Sequence, residues 1–277
     1  MKVFLTSTEA SQFSNPLFVD CRHLLTDPAY GERAYQEEHL PGAVFAHLDN
    51  TLSAEPSGKN GRHPLPDLHR FHDWLQTHGL HPERSIITYD NLHGGIAARL
   101  WWLLTQLGFH SVYIMTDGLE GWKAHGLKTE TDMPQPHPVT FDLTIQSWDD
   151  GPYTIKYLTD ISEQIPSSYL IDSRAPERYH GKEEPYDPLP GRIPGAINLF
   201  WQSNISDGTL KTERKGEINS FLDTGELGKY TVYCGSGVTA TFNLAVFAEL
   251  NLPRPSYYAG SYSEWVQNHP DTIETDE

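Results

Sequence analysis

The residue with the clearest chemical potential is Cys234, which follows the apolar run 231–233 and opens the segment Cys-Gly-Ser-Gly-Val-Thr. The two glycines let the chain turn tightly around the sulfur. Backbone N–H groups can then point at Cys234, and a helix predicted over 240–250 directs its positive end there. This setting favours a thiolate, the nucleophilic form of cysteine, or an anionic persulfide. The alternative from these residues alone is a buried, inert cysteine at the end of a strand.

The length of this segment separates two chemistries. Cysteine phosphatases use the spacing Cys-x5-Arg, in which the arginine clamps a phosphate with two hydrogen bonds. The residue six positions after Cys234 is Ala240, so the clamp is missing. The segment therefore favours transfer of a sulfur atom over hydrolysis of a phosphate.

The two halves of the chain repeat the same short motifs. Each half has an apolar run ending in Asp-x-Arg, at Asp20 and at Asp172, and each continues to a Pro-Gly-Ala turn. Each also has an apolar run ending in a polar residue, which is Asp90 in the first half and Cys234 in the second. Such a repeat predicts two copies of one domain. The expected parts are a first domain, a linker interrupted by prolines and a second domain, over residues 1–128, 129–149 and 150–277.

Strand and helix patterns alternate within each copy. In the first, a strand pattern over 85–89 lies between helical patterns over 67–78 and 94–107. This alternation predicts an α/β fold, with a parallel sheet and helices on both of its faces. Ligands of such sheets bind beyond the carboxyl ends of the strands, where Asp90 and Cys234 are expected.

Taken together, these motifs and the ending Ala-Gly-Ser-Tyr-Ser-Glu-Trp resemble tandem-domain rhodaneses over nearly the whole chain. The resemblance implies two rhodanese-like domains, of which the second forms a persulfide on Cys234. It also implies a catalytically silent first domain, because Asp90 stands at the matching position and a carboxylate cannot carry a sulfane sulfur.

The loop sequence is similar to the mercaptopyruvate branch of this family. That likeness implies a sulfurtransferase that moves sulfur from 3-mercaptopyruvate to a thiol, such as that of thioredoxin, or to cyanide. Thiosulfate is the alternative donor, and a persulfide carrier or sensing module without turnover is a third possibility. No cofactor is implied.

Arg178 matches an arginine that holds the anionic part of the donor in this family. Mercaptopyruvate enzymes usually have a second arginine nine residues later, but this chain has Asp187 there, as in the thiosulfate branch. The resemblance therefore implies that Arg178 alone holds the donor, against the backbone of the loop. The loop residues that would contact the substrate are Gly235, Ser236, Gly237, Val238 and Thr239.

Two further sets of residues take roles from the same resemblance. Asp172 and Arg174 would support the catalytic loop without contacting the donor. Ser236, His63 and Asp49 match a serine, a histidine and an aspartate that are proposed to form a triad in some mercaptopyruvate enzymes. Such a relay would protonate the enolate that forms as sulfur leaves mercaptopyruvate. A histidine that merely caps the site is the alternative role of His63.

Charge and composition narrow the expected partners. The net charge of −17 argues against nucleic acid or an anionic membrane as the main partner. The charge is uneven, at −4 over 1–128 and −13 over 129–277, so an anion site in the second half needs local positive charge. The chain has two cysteines, no long apolar run and no N-terminal signal-peptide pattern, so it is expected to be cytoplasmic. Its histidine pairs have no third ligand nearby in the sequence, so no metal site is expected.

Overall fold

The chain forms two compact units in a computed structural model that describes residues 1–135, 137–164, 169–206, 208–211, 213–222 and 229–276. Unit 1 comprises Met1–Ala54, Pro66–Pro152 and Ile205–Leu210. Unit 2 comprises Glu55–Leu65, Tyr153–Asn204 and the described residues from Lys211 onwards. Each unit therefore contains a short segment from the other half of the sequence, which the repeat did not predict.

The segment expected to link the domains, 129–149, belongs to unit 1. Its aromatic side chains give the physical reason. The ring of Phe141 lies against His72 and Phe109, and the indole Nε1 of Trp148 donates to the carbonyl of Pro66 at 2.8 Å. These contacts fix the segment on unit 1, although Pro136 within it lies outside the described residues.

Unit 1 is built on a parallel sheet of five strands in the order β1-β5-β4-β2-β3. The strands are β1 (Phe4–Leu5), β2 (Leu17–Asp20), β3 (Val44–Phe45), β4 (Ile86–Tyr89) and β5 (Val112–Met115). The helices are α1 (Ser7–Ala10), α2 (Tyr30–Glu37), α3 (Leu68–Thr77), α4 (Ala97–Gln106) and α5 (Gly118–Ala124). The sheet has its apolar side chains buried, as a sheet covered by helices requires.

Unit 2 repeats this architecture with the strand order β6-β12-β11-β7-β8, again entirely parallel. The strands are β6 (Ile155–Lys156), β7 (Leu170–Asp172), β8 (Ile197–Asn198), β11 (Thr231–Tyr233) and β12 (Ser256–Tyr258). The helices are α6 (Leu158–Gln164), α7 (Pro176–Tyr179), α8 (Arg214–Phe221), α9 (Ala240–Glu249) and α10 (Ser261–Asn268). The prediction of two parallel α/β domains is therefore confirmed.

Two antiparallel strands, β9 (Ile205–Ser206) and β10 (Thr209–Leu210), form a separate pair that belongs to unit 1. Among the described residues, short 3-10 helices are formed by Trp148–Asp150, Trp201–Asn204 and Pro270–Thr272. Within the part of the chain that the structure describes, none of the helices has the length and apolar character needed to cross a membrane.

The central strand of each sheet leads to the position of chemical interest. In unit 2, β11 lies between β12 and β7 and ends immediately before Cys234. In unit 1, β4 lies between β5 and β2 and ends immediately before Asp90. Both residues therefore lie beyond the carboxyl end of a central strand, where a parallel sheet leaves room for a ligand.

Candidate active site

Cys234 begins a loop of six residues that joins β11 to α9, and its side chain is almost fully buried. The backbone N–H of Gly237 donates to its sulfur at 3.2 Å. The loop thus curls back toward the sulfur, as the two glycines predicted, and it presents a hydrogen-bond donor to any negative charge that develops there.

The turn at Gly237 can be made only by glycine. Its backbone has a φ of +81°, and a β-carbon there would lie 2.1 Å from the carbonyl oxygen of Ala259. The hydroxyl of Tyr257 donates to the carbonyl of Gly237 and fixes the turn from the side of the sheet. The second glycine of the segment is therefore required by both conformation and close packing.

Residues at the start of α10 form hydrogen bonds with the same loop. The N–H groups of Tyr262 and Ser263 donate to the carbonyls of Cys234 and Gly235 at 3.0 and 2.8 Å. The hydroxyl of Ser261 accepts the N–H of Cys234 at 3.1 Å. With its backbone groups taken up in this way, the loop has a fixed shape around the sulfur.

Asp172 and Arg174 form a buried ion pair at the end of β7. The guanidinium meets the carboxylate through Nε and Nη2, at 3.1 and 2.6 Å, and both side chains are at most 1% exposed. Arg174 also donates to Gly191 and Glu184, and it lies 3.9 Å from the ring centroid of Tyr262. It therefore supports Tyr262, one of the residues that hold the Cys234 loop.

Unit 1 contains the same pair at the matching position, but a different group fills its loop. Arg22 binds Asp20 through Nε and Nη2, as Arg174 binds Asp172. The carboxylate of Asp90 accepts four backbone N–H groups at 2.7–2.8 Å, from Leu92, Gly94, Ile96 and Ala97. The side chain of Asp90 thus occupies the place that a bound anion would take in a loop of this kind.

Arg178 lies on α7, and its side chain reaches the loop that follows Cys234. Its Nη2 is 2.7 Å from Glu184 and 3.4 Å from Asp187. A β-carbon built on Gly235 would lie 3.0 Å from the same nitrogen. The structure therefore places Arg178 beside the residue that follows Cys234.

His63 and Ser236 are brought together within unit 2. The histidine Nδ1 lies 2.7 Å from the serine Oγ, and both side chains are buried. His63 reaches this position because Glu55–Leu65 belongs to unit 2, where the N–H of Arg62 donates to the hydroxyl of Ser263 at 3.0 Å. The histidine and the loop serine are thus in direct hydrogen-bonding contact.

Asp49 belongs to unit 1, whereas His63 and Ser236 belong to unit 2. It lies in the turn after β3, where its N–H donates to Nδ1 of His47 at 3.1 Å. Potential metal-binding atoms of Asp49, His47 and His23 lie within 4.8 Å of one another, a grouping the sequence analysis did not predict. Nδ1 of His47 accepts the backbone N–H groups of Asp49 and Asn50.

Three residues near Cys234 were missed by the sequence analysis: Arg62, Glu184 and Tyr262. Arg62 binds Asp187 through Nε and Nη2, at 3.0 and 3.1 Å, and its Nη2 would lie 3.0 Å from a β-carbon on Gly235. The available signal was the charge of Asp187, because a buried carboxylate is stabilised by cationic partners.

Comparisons with known proteins agree with this arrangement. The sequence profile described as "Rhodanese-like domain" matches residues 7–125 and 154–268. The chain is 41% identical to a Pseudomonas aeruginosa protein named "Probable 3-mercaptopyruvate sulfurtransferase", over 93% of this chain and 92% of that protein. It is 30% identical to a thiosulfate sulfurtransferase of the same organism, over 86% of each chain. The solved 3-mercaptopyruvate sulfurtransferase from Leishmania major superimposes with a TM-score of 0.83 and 31% identity, over 98% of this chain and 76% of that one.

Proposed function

Because the chain belongs to the rhodanese-like domain family and is a sulfurtransferase, we propose that its donor is 3-mercaptopyruvate and that Cys234 carries the transferred sulfur. The observation that carries this proposal is the contact of 2.7 Å between His63 and Ser236, two residues along the loop from Cys234. This contact offers a proton source where mercaptopyruvate needs one.

The first half-reaction forms an S–S bond and breaks a C–S bond. The Cys234 thiolate attacks the sulfur of mercaptopyruvate, and the electrons of the C–S bond pass to the carbon fragment, which leaves as the enolate of pyruvate. The loop turned around Cys234 holds the resulting persulfide, with the N–H of Gly237 directed at the sulfur. This covalent intermediate makes the reaction a two-step, ping-pong transfer.

The departing enolate must gain a proton to become pyruvate. Ser236 is the donor in this proposal, and His63 replaces the proton through the contact between its Nδ1 and the serine Oγ. Asp49 is assigned the role of orienting His63 on the strength of the family resemblance alone. Thiosulfate needs no such proton, because sulfite leaves it as a stable anion.

The second half-reaction returns Cys234 to its starting state. An acceptor thiolate attacks the outer sulfur of the persulfide, forms a new S–S bond and releases the Cys234 thiolate. Thioredoxin, another thiol or cyanide is the proposed acceptor. Steady turnover with such acceptors distinguishes an enzyme of this kind from a protein that only stores or senses a persulfide.

Thiosulfate is the second candidate donor, and Asp187 is the observation that favours it. This residue stands where mercaptopyruvate enzymes usually have a second arginine, and a thiosulfate sulfurtransferase is among the relatives. The neutral Gly-Ser-Gly segment outweighs it here because that segment surrounds the sulfur, whereas a thiosulfate dianion calls for positive charge at the loop.

The test compares kcat/KM for the two donors with one acceptor, in the wild type and in Ser236→Ala. We expect the wild type to favour mercaptopyruvate by about tenfold or more, equivalent to roughly 1.4 kcal/mol at the transition state. Ser236→Ala should slow the mercaptopyruvate reaction much more than the thiosulfate reaction. Ser220→Ala, at an exposed position on α8, is the matched control. A wild-type preference for thiosulfate, or an equal loss with both donors in Ser236→Ala, would replace mercaptopyruvate by the second candidate.

A further inference from the structure

We infer that Glu274 and Asp276 are positioning residues for the donor site, because they close the neck of a loop that holds Arg178 in place. This loop spans 181–191, between α7 and β8, and contains neither helix nor strand. The inference rests on the proposed function in one respect, since it takes Arg178 as the residue that binds the anionic part of the donor. Both candidate donors carry such a part.

The loop 181–191 holds Arg178 through Glu184. The carboxylate of Glu184 accepts hydrogen bonds from Nε and Nη2 of Arg178, at 3.0 and 2.7 Å, and its side chain is 1% exposed. Two parallel hydrogen bonds of this kind fix the plane of a guanidinium as well as its position. The orientation of Arg178 therefore depends on where the loop places Glu184.

The two ends of the loop meet at a narrow neck. A β-carbon on Gly181 would lie only 3.5 Å from the Cα of Gly191. Most residues between these two are exposed, and a loop without regular structure loses conformational entropy when it is ordered. Close ends make such a loop compact. Contacts at the neck therefore limit the positions that Glu184 can take.

The chain crosses this neck at Thr275. Its Cγ2 lies against both ends of the loop, 2.7 Å from a β-carbon built on Gly181 and 3.0 Å from one built on Gly191. The preceding residue, Glu274, pairs with the backbone of Arg192 in both directions, at 3.0 and 2.8 Å. Thr275 is thus held over the neck by a backbone pairing next to it.

Two carboxylates extend this contact to both sides of the neck. Arg192 donates through Nη2 to Glu274 and through Nη1 to Asp276, the latter at 2.7 Å. The carboxylate of Asp276 also contacts the ring of His180, and its N–H donates to the carbonyl of His180 at 3.2 Å. His180 precedes the loop and Arg192 follows it, so Asp276 connects its two ends.

Unit 1 contains the backbone part of this arrangement. Glu130 pairs with the backbone of His39 at 2.8 and 2.9 Å, and its carboxylate accepts the N–H of Gly42 at 2.9 Å. In unit 2, the carboxylate of Glu274 accepts the N–H of Gly195 at 2.8 Å in the same way. The two units therefore share one structural contact at the turn that follows.

The charged part of the arrangement accompanies the extra loop. In unit 1, Glu38 alone separates α2 from His39, whereas residues 180–191 separate α7 from Arg192 in unit 2. The residue that pairs with two carboxylates in unit 2 is thus a histidine in unit 1, where there is no loop to hold. This difference favours a role in the unit that carries Cys234 over a role in folding that both units would share.

The first experiment measures kcat/KM for the donor and for the acceptor in Glu274→Gln, in Asp276→Asn and in the double variant. In a ping-pong reaction these two values report separate half-reactions. We expect the donor value to fall about threefold in each single variant and about tenfold in the double variant, with mercaptopyruvate and thiosulfate alike. The value for 2-mercaptoethanol, an acceptor without a carboxylate, should stay within about twofold of the wild type.

Two control variants make this result specific. Asp271→Asn changes an exposed aspartate shortly before the neck and should match the wild type. Glu130→Gln weakens the equivalent bond to Gly42 in unit 1, so it should reduce stability without changing kcat/KM for the donor. A loss confined to the unit 2 variants separates positioning of Arg178 from a general loss of stability.

Amide hydrogen exchange locates the change in the molecule. In the double variant, exchange in 182–190 should become about tenfold faster. Exchange in 231–239, which covers β11 and the Cys234 loop, should stay as in the wild type. Faster exchange in both segments would mean that the substitutions loosen the whole unit, and this result would overturn the inference.

The outcomes separate this inference from the proposed donor. An unchanged donor value in the double variant, or an equal loss for donor and acceptor, would overturn the inference whichever donor the enzyme uses. A selective loss for the donor together with a wild-type preference for thiosulfate would support the positioning role and reject mercaptopyruvate. If the double variant fails to fold, Asp276→Asn decides because its side chain is exposed, and an unchanged donor value there would also overturn the inference.

Discussion

Asp187 is a buried carboxylate whose ionisation depends on Arg62. Burial raises the pKa of Asp187 above its ordinary value of 3.8, while the Arg62 guanidinium lowers it. A raised pKa in the folded state means that stability is lost as pH rises from about 4 through the folded value. Removing Arg62 increases that loss. Arg62→Gln should therefore lower the free energy of unfolding by about 1–3 kcal/mol at pH 7 and by much less at pH 4.

Urea unfolding at the two pH values measures this difference, with Arg254→Gln as the control for the loss of an exposed arginine. An equal loss of stability at pH 4 and pH 7 in Arg62→Gln would show that Asp187 is not the group Arg62 compensates.

The sequence indicated the importance of Cys234, Arg178 and Ser236 because each lies in a local motif. It did not indicate Arg62, because a contact between residues 62 and 187 leaves no local pattern in either segment.

The two central loops differ in length and in what fills them. Six residues separate Asp90 from the start of α4, whereas five separate Cys234 from the start of α9. In the longer loop, four N–H groups donate to the carboxylate of Asp90. Removing this carboxylate would leave those four N–H groups without acceptors. Asp90→Ala should therefore lower the free energy of unfolding by about 2–4 kcal/mol.

Amide hydrogen exchange checks this prediction at the residues concerned. Exchange in 92–97 should speed up strongly in Asp90→Ala but not in Asp73→Asn, which changes an exposed side chain of α3. Unaltered protection in 92–97 would mean that the backbone, and not Asp90, holds the loop in shape.

The elements themselves followed closely from hydrophobic periodicity. The helix predicted over 67–78 is observed as Leu68–Thr77, and the strand predicted over 85–89 as Ile86–Tyr89. The helix predicted over 94–107 begins only at Ala97, because Gly94 has a φ of +90°, which is not helical, and the N–H groups of Gly94 and Ile96 donate to Asp90. Side-chain capping of this kind depends on geometry that periodicity does not contain.

Across the whole molecule, the two cysteines occupy comparable sheets but unequal chemical settings. Cys21 is fully buried, and burial, together with the carboxylates of Asp90 and Asp20, raises the pKa of its thiol well above 9.0. A thiol held in that form is a poor nucleophile. Incubation with the donor should therefore load a single sulfane sulfur per chain, on Cys234. Cys234→Ser should abolish loading and turnover, and Cys21→Ser should retain both nearly in full.

Mass spectrometry of the separated cysteine peptides gives this result directly. Sulfur on the Cys21 peptide, or loss of turnover in a folded Cys21→Ser variant, would contradict the assignment of one active and one silent unit.

The repeat in the sequence predicted this asymmetry through Asp90, but it did not predict that Glu55–Leu65 belongs with the second unit. The two exchanged segments occupy matching places, Glu55–Leu65 between β3 and α3 and Ile205–Leu210 between β8 and α8. Their membership of the other unit depends on contacts between segments distant in the chain, which leave no local sequence pattern.

The segment Glu55–Leu65 also bears on how such a chain can evolve. A gene fragment that encodes only the second half would lack Arg62 and His63, although it would keep Cys234 and its loop. The duplication that the repeat records has thus become hard to reverse, because one descendant copy now depends on residues inherited through the other. A chimaera of halves from two relatives would succeed only where the protein that supplies the first half also supplies a compatible partner for Asp187.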